Sequence, residues 1–139
     1  MRIRSQDGSA VLSIRRLDMD AKGDVHAKVR VTGSGFKGSN RSVWFEGRGV
    51  ESFLSDLTAL ERLRQGIACL ETMSPDECSI TFRSFDRLGH IHVEVKVSRC
   101  IFFYGETDWI RCRIRYEIDT TALPALLQAL RSEFQGKGT

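Results

Sequence analysis

Residues 109 to 118 read Trp-Ile-Arg-Cys-Arg-Ile-Arg-Tyr-Glu-Ile, and apolar and polar residues alternate without a break from Ile110 to Ile118. Successive side chains of a β-strand point to opposite faces. Ile110, Cys112, Ile114, Tyr116 and Ile118 therefore share one side, while Arg111, Arg113, Arg115 and Glu117 share the other. Beyond this strand the period changes. Leu123, Leu126, Leu127, Leu130 and Phe134, opened by Thr120 or Thr121, form the stripe of an amphipathic helix. A one-sided strand feeding a one-sided helix predicts a sheet with helices on one face and a charged surface on the other.

The rest of the chain fits that plan. Strands are expected over 10–17, 25–32, 41–46, 67–73, 78–85 and 90–98. Val25, Ala27, Val29 and Val31, and again Ile91, Val93, Val95 and Val97, alternate with polar neighbours. Val50, Phe53, Leu54, Leu57 and Leu60 recur at helical spacing, which predicts a first helix from Val50 to Gln65 with Gly66 as its stop. Pro75 presets a turn over Ser74–Glu77. Residues 99–108 read as a looser connection, and 135–139 as a frayed tail. The run Val25 to Gly66 is echoed by Ile91 to Gly136, with Phe36-Lys37-Gly38 matching Phe103-Tyr104-Gly105. The expected fold class is α+β: a mostly antiparallel sheet of about seven strands with two amphipathic helices packed on one face. Residues 1–139 read as a single domain with its ordered core over 10–134.

The chain carries a formal charge of +3, too little to imply nucleic-acid binding without local clustering. The N-terminus lacks the apolar run of a secretory signal, and no stretch is apolar enough to span a membrane, which predicts a cytoplasmic protein. Cys69, Cys78, Cys100 and Cys112 match no zinc or redox spacing, and they read as small buried hydrophobes in a reducing compartment.

No catalytic constellation follows from these residues. His90 and His92 share a strand face that His26 could join, but Lys96 and Arg30 beside them repel a cation. No metal or other cofactor is expected. Cys100 stands beside Arg99, which favours a thiolate, yet nothing places a base against it. The glycines of 33–38 lead into a strand rather than a helix, so they describe a hairpin and not a phosphate cradle. A small metal-dependent or hydrolytic enzyme using the His90/His92 face, and a structural or assembly subunit, stand as the alternative classes.

Arg111, Arg113 and Arg115, with Lys28, Arg30, His92 and Lys96 on other strands, suggest a cationic sheet face. Glu94 and Glu117 could neutralise it across strands, or the face could recognise a partner. The aromatic run Phe102-Phe103-Tyr104-Gly105 has no place in either periodic pattern, and Trp109 follows closely. Aromatics and arginines dominate binding hot spots. The candidate partner-binding residues are therefore Phe103, Tyr104, Trp109, Arg111, Arg113 and Arg115; the alternative is that Phe102 or Phe103 plugs the open end of the core. Nucleic acid is not the expected partner, because the aromatics are not interleaved with the arginines.

Gly35-Phe36-Lys37-Gly38, Trp44, the helix around Phe53-Leu54-Ser55-Asp56-Leu57, Gly66-Ile67-Ala68-Cys69-Leu70-Glu71 and Leu88-Gly89-His90-Ile91 follow one another before a C-terminal helix. In that order the chain resembles the WapI-like immunity family of bacterial polymorphic toxin systems over residues 25–134. The resemblance implies a cytosolic, non-enzymatic protein that binds and neutralises a cognate toxin. Immunity proteins against nucleases are often acidic, whereas this chain is mildly basic. The resemblance therefore implies an acidic toxin, or binding through apolar and aromatic contacts.

Overall fold

The alternating segments assemble into two sheets. In the computed structural model, which describes residues 1–136, the first sheet holds β1 (Arg2–Arg4), β2 (Ala10–Met19), β3 (Val25–Gly33) and β4 (Phe36–Phe45). Helix α1 (Gly47–Leu63) leads to the second sheet, made of β5 (Ile67–Glu71), β6 (Cys78–Ser84), β7 (Ile91–Phe103) and β8 (Glu106–Ile118). A single 3-10 turn, Thr120–Ala122, then opens α2 (Leu123–Gln135). Both sheets are antiparallel throughout, with strands side by side in chain order.

The fold is α+β with antiparallel sheets and two helices, as expected, but eight strands in two sheets replace one sheet of about seven. A period of two says which face of a strand is buried, not which sheet the strand joins. The short β1, with Ile3 buried, adds a strand ahead of the expected core. The third expected strand starts earlier, at Phe36. Of the expected tail, Gln135 closes α2, the Gly136 carbonyl accepts a hydrogen bond from Arg16, and residues 137–139 lie outside the described residues.

Each strand gives one face to a common interior. Val25, Ala27, Val29 and Val31 of β3, and Ile91, Val93 and Val95 of β7, are fully buried there. Val50, Phe53, Leu54, Leu57 and Leu60 form the buried face of α1, and Leu123, Leu127, Leu130 and Phe134 that of α2. The helices are exchanged between halves: α1 packs on β5 and β6, and α2 packs on β2. Phe53 lies 5.9 Å from Phe82 of β6, and Phe134 meets Phe45 of β4 edge-on at 5.8 Å. Helix α1 ends at Arg64 rather than Gly66; Arg64 takes the left-handed conformation (φ 57°) and its N–H bonds the Leu60 carbonyl. Before α2, the Asp119 carboxylate accepts the Thr121 N–H at 3.0 Å, satisfying one of the free donors at a helix start.

The two halves share the order of four strands and a helix, and they share turns. Asp20 Oδ1 accepts the N–H groups of Lys22 (2.9 Å) and Asp24 (3.0 Å) between β2 and β3. Asp86 Oδ1 does the same for Leu88 (2.9 Å) and His90 (3.1 Å) between β6 and β7. The next hairpin of each half turns on two residues with positive φ, Ser34-Gly35 in one and Tyr104-Gly105 in the other. Gly105 thus corresponds to Gly35, not to Gly38 as the sequence echo suggests.

The halves differ in one respect. β6 pairs with β7 only as far as Val97, while β7 and β8 run on together from Ser98↔Arg111 to Phe103↔Glu106. Residues 99–108, expected to be a loose connection, are therefore mostly a two-stranded ribbon. We expect Leu130→Ala, in the fully buried row of α2, to lower unfolding free energy by ~2–5 kcal/mol, while Ile110→Ala on the ribbon stays within ~0.5 kcal/mol of wild type. Urea denaturation of both variants checks this contrast.

Candidate functional site

The ribbon holds its apolar side chains in solvent. Phe102 is 83% exposed, Phe103 62%, Tyr104 96% and Ile110 59%. Neither phenylalanine plugs the core. Phe103 meets Tyr104 edge-on at 5.0 Å, and the Arg111 guanidinium lies over the Trp109 ring at 5.7 Å. A cation over an aromatic face is attracted by the ring's electron distribution. The base of the ribbon is anchored at Ser98. Its N–H donates to the Glu77 carbonyl at 2.7 Å, and its carbonyl accepts from Asn40 Nδ2 at 3.1 Å.

Arg111, Arg113 and Arg115 project from the outward face of the second sheet, as the alternation predicts. Arg113 donates to Glu94 Oε2 at 2.8 Å, and Lys96 lies 3.7 Å from the same carboxylate. Burial opposes ionisation of Glu94, but the Arg113 hydrogen bond and the surrounding positive charges outweigh it and hold the carboxyl below its ordinary value. Among the described residues Arg111 and Arg115 have no ion pair. Cross-strand neutralisation therefore reaches Arg113 and leaves its two neighbours to solvent. The wider cationic face divides, because Lys28 and Arg30 belong to the first sheet.

A cleft of about 750 Å³ lies between the β3–β4 hairpin and β8. Its cations are Lys37, Arg99, Arg111, Arg113 and Arg115, and among the described residues no aspartate or glutamate lines it. Phe36, 72% exposed, stands on the opposite wall. A Cβ at Gly38 would come within 2.5 Å of the Cys112 Cβ, so the bare backbone of β4 lets this wall approach β8. Phe36, Lys37 and Arg99 escape sequence reasoning. The signal for Phe36 is the Ser34-Gly35 turn immediately before it.

The histidines divide as well. His26 sits on the first sheet, stacked on Trp44 at 4.8 Å and hydrogen-bonded to Ser42 at 2.7 Å. His90 and His92 both stack on Phe85, at 5.7 and 3.6 Å, and His90 pairs through Nδ1 with Asp86. Among the described residues no group of three or more His, Cys, Asp or Glu is placed to hold a metal ion. The cysteines are all free, and only Cys78 is buried, its thiol pushed up to about 12 chiefly by that burial. Cys69 is exposed, contrary to expectation, because Ala68 and Leu70 take the inward positions of β5.

Among the described residues no helix is long and apolar enough to cross a membrane. No protein-family model matches the chain, and neither a curated protein nor a solved structure matches it.

The Asp86–His90 pair gives a pH signature. The hydrogen bond to Asp86, then its charge, raises His90 above its ordinary 6.5; the same hydrogen bond leads the causes that hold Asp86 below 3.8. The contribution of His90 is complete below 6.5 and lost as pH rises through its raised pKa, and that of Asp86 is complete above 3.8 and lost as pH falls through its depressed one. His92 moves the other way, lowered first by burial and then by Arg115. An NMR titration should find His90 titrating above His92, and Asp86→Asn should bring the His90 midpoint down.

Proposed function

We propose that this protein is a non-enzymatic binding protein whose partner is another protein with an acidic, partly apolar surface. The reading rests on one observation: β7 and β8 run past their sheet and carry Phe102, Phe103, Tyr104 and Ile110 uncovered into solvent. Soluble proteins rarely expose large contiguous apolar patches, and those that do commonly use them to bind. Arg111 and Trp109 adjoin these side chains, so cationic and aromatic groups are offered together. Such a surface suits recognition, where burying an aromatic anchor and pairing a free guanidinium add affinity and specificity.

Within that class we favour a bacterial immunity protein that acts in the cytoplasm by occluding a cognate toxin. The resemblance to the WapI-like family supports this reading, and occlusion needs no catalytic group. The cleft's five cationic side chains and the positive net charge favour an acidic toxin surface.

The test is binding to the protein encoded next to this one, with stability measured in parallel. Tyr104→Ala and Arg111→Ala should each weaken that complex by roughly 1 kcal/mol or more, about fivefold, with thermal midpoints near wild type. Unchanged binding by both variants would move the recognition surface elsewhere. A wild-type protein that neither binds its neighbour nor protects cells from it would remove the immunity reading.

A further inference from the structure

We propose that the free edge of β8 receives an extended acidic segment of the partner as an added β-strand. This rests on the binding-protein reading and names the chemistry of the partner.

β8 is the last strand of its sheet, so only one of its edges is paired. The direction of each peptide group follows from the hairpin. Phe103 and Glu106 flank a two-residue turn, and residues in that position exchange both backbone hydrogen bonds. Groups alternate along a strand, so Asp108, Ile110, Cys112, Ile114 and Tyr116 also face β7. Trp109, Arg111, Arg113 and Arg115 then turn their N–H and C=O outward. Glu117 verifies the phase, because its carbonyl accepts the Gln6 N–H at 2.8 Å from outside the sheet. The segment after β1 thus closes the edge at Glu117 and the Asp108 carboxylate takes the Trp109 N–H at 2.8 Å, so among the described residues the edge is unpaired from Arg115 to Arg111.

The arginines that offer their guanidinium groups on the outward face are therefore the residues that offer free backbone donors and acceptors. A strand added here pairs with Arg111, Arg113 and Arg115, and its residues opposite them lie on the outward face within cross-strand reach. The residues between fall on the other side, against half-exposed Cys112 and Ile114, exposed Ile110 and the Phe36 wall of the cleft. The matching segment alternates acidic and apolar residues over five positions. A second copy of β8 is a poor occupant, because antiparallel self-pairing would set arginine against arginine, a known device for keeping edges apart. A nucleic acid would meet the charge but could not extend the backbone ladder.

The test uses the full chain with two capped peptides of one composition, Glu-Val-Glu-Val-Glu and Glu-Glu-Glu-Val-Val, and an oligothymidylate. By fluorescence anisotropy the alternating peptide should bind about fivefold more tightly than the block peptide, which in the same register loses one of three opposite-charge cross-strand pairs and sets a glutamate on the apolar side. It should also slow amide exchange at Arg111, Arg113 and Arg115, leaving the β7-bonded amides of Cys112 and Ile114 unchanged. Arg113→Pro removes one outward N–H without touching the β7 ladder and should weaken the peptide complex beyond Arg113→Ala, which removes only the charge. Should the proline variant fail to fold, the exchange pattern of the wild type decides alone. Equal affinity for the two peptides, no protection at the three arginine amides, or tighter binding of the oligothymidylate overturns the proposal. If the neighbouring protein binds through Tyr104 and Arg111 but protects none of these amides, strand addition falls and the binding-protein reading stands.

Discussion

Phe53 of α1 rests on Phe82 of β6, and Phe134 of α2 rests on Phe45 of β4, so each half of the chain covers the sheet of the other. A four-stranded sheet with one apolar face needs a second layer to exclude water. Here neither half retains its own helix for that purpose. The apolar faces of both sheets and both helices consequently merge into one cluster, from Ile3 to Phe134. The Tyr116 hydroxyl, which donates to the Ile3 carbonyl at 2.6 Å, ties the last strand to the first. Burial raises the pKa of that hydroxyl, which keeps it protonated and a donor. This interlocking sets the relation of the two sheets and brings the β3–β4 hairpin alongside β8.

The candidate surface depends on that arrangement. Gly38 lies against Cys112 and the Asn40 side chain holds the Ser98 carbonyl, so the first sheet braces the point where the ribbon leaves the second. Above that point no other strand contributes. The ribbon's backbone is ordered by β7–β8 pairing and a turn whose Tyr104 and Gly105 both adopt positive φ. Pre-ordered side chains lose less conformational freedom when a partner covers them. The aromatic tip and the arginine edge also belong to one element, so a single partner can meet both.

Much of the architecture was legible in local pattern. The strict alternation from Ile110 to Ile118 placed three arginines on one face, and the 3.6-residue spacing from Val50 to Leu60 marked the buried side of α1. Patterns are written by burial, and they fail where burial is absent or partner-dependent. The ribbon has no third strand, buries neither face, and so reads as irregular. β1 has three residues and a single buried side chain, too few for a period. The partition into two sheets is decided by which strands lie beside one another, information that α1 separates in the sequence. For the site, alternation identified the side chains of Arg111, Arg113 and Arg115. It could not reveal that their peptide groups face an open edge, because that depends on which flank β7 occupies.

The exchange of helices has a consequence for the chain as it is made. The first sheet is complete when β4 leaves the ribosome, but α2, the helix that packs on β2, follows the whole second sheet in the chain. The apolar face of β2, Leu12 included, lacks that cover while the second half is translated. α1 cannot serve in the interval, since its apolar stripe is matched to β5 and β6, which follow it. A nascent chain of this design passes through a long stage with a greasy sheet face and no lid, when chaperone capture competes with misassociation. The order of elements thereby places the thirteen-residue helix that covers β2 after every strand of the second sheet.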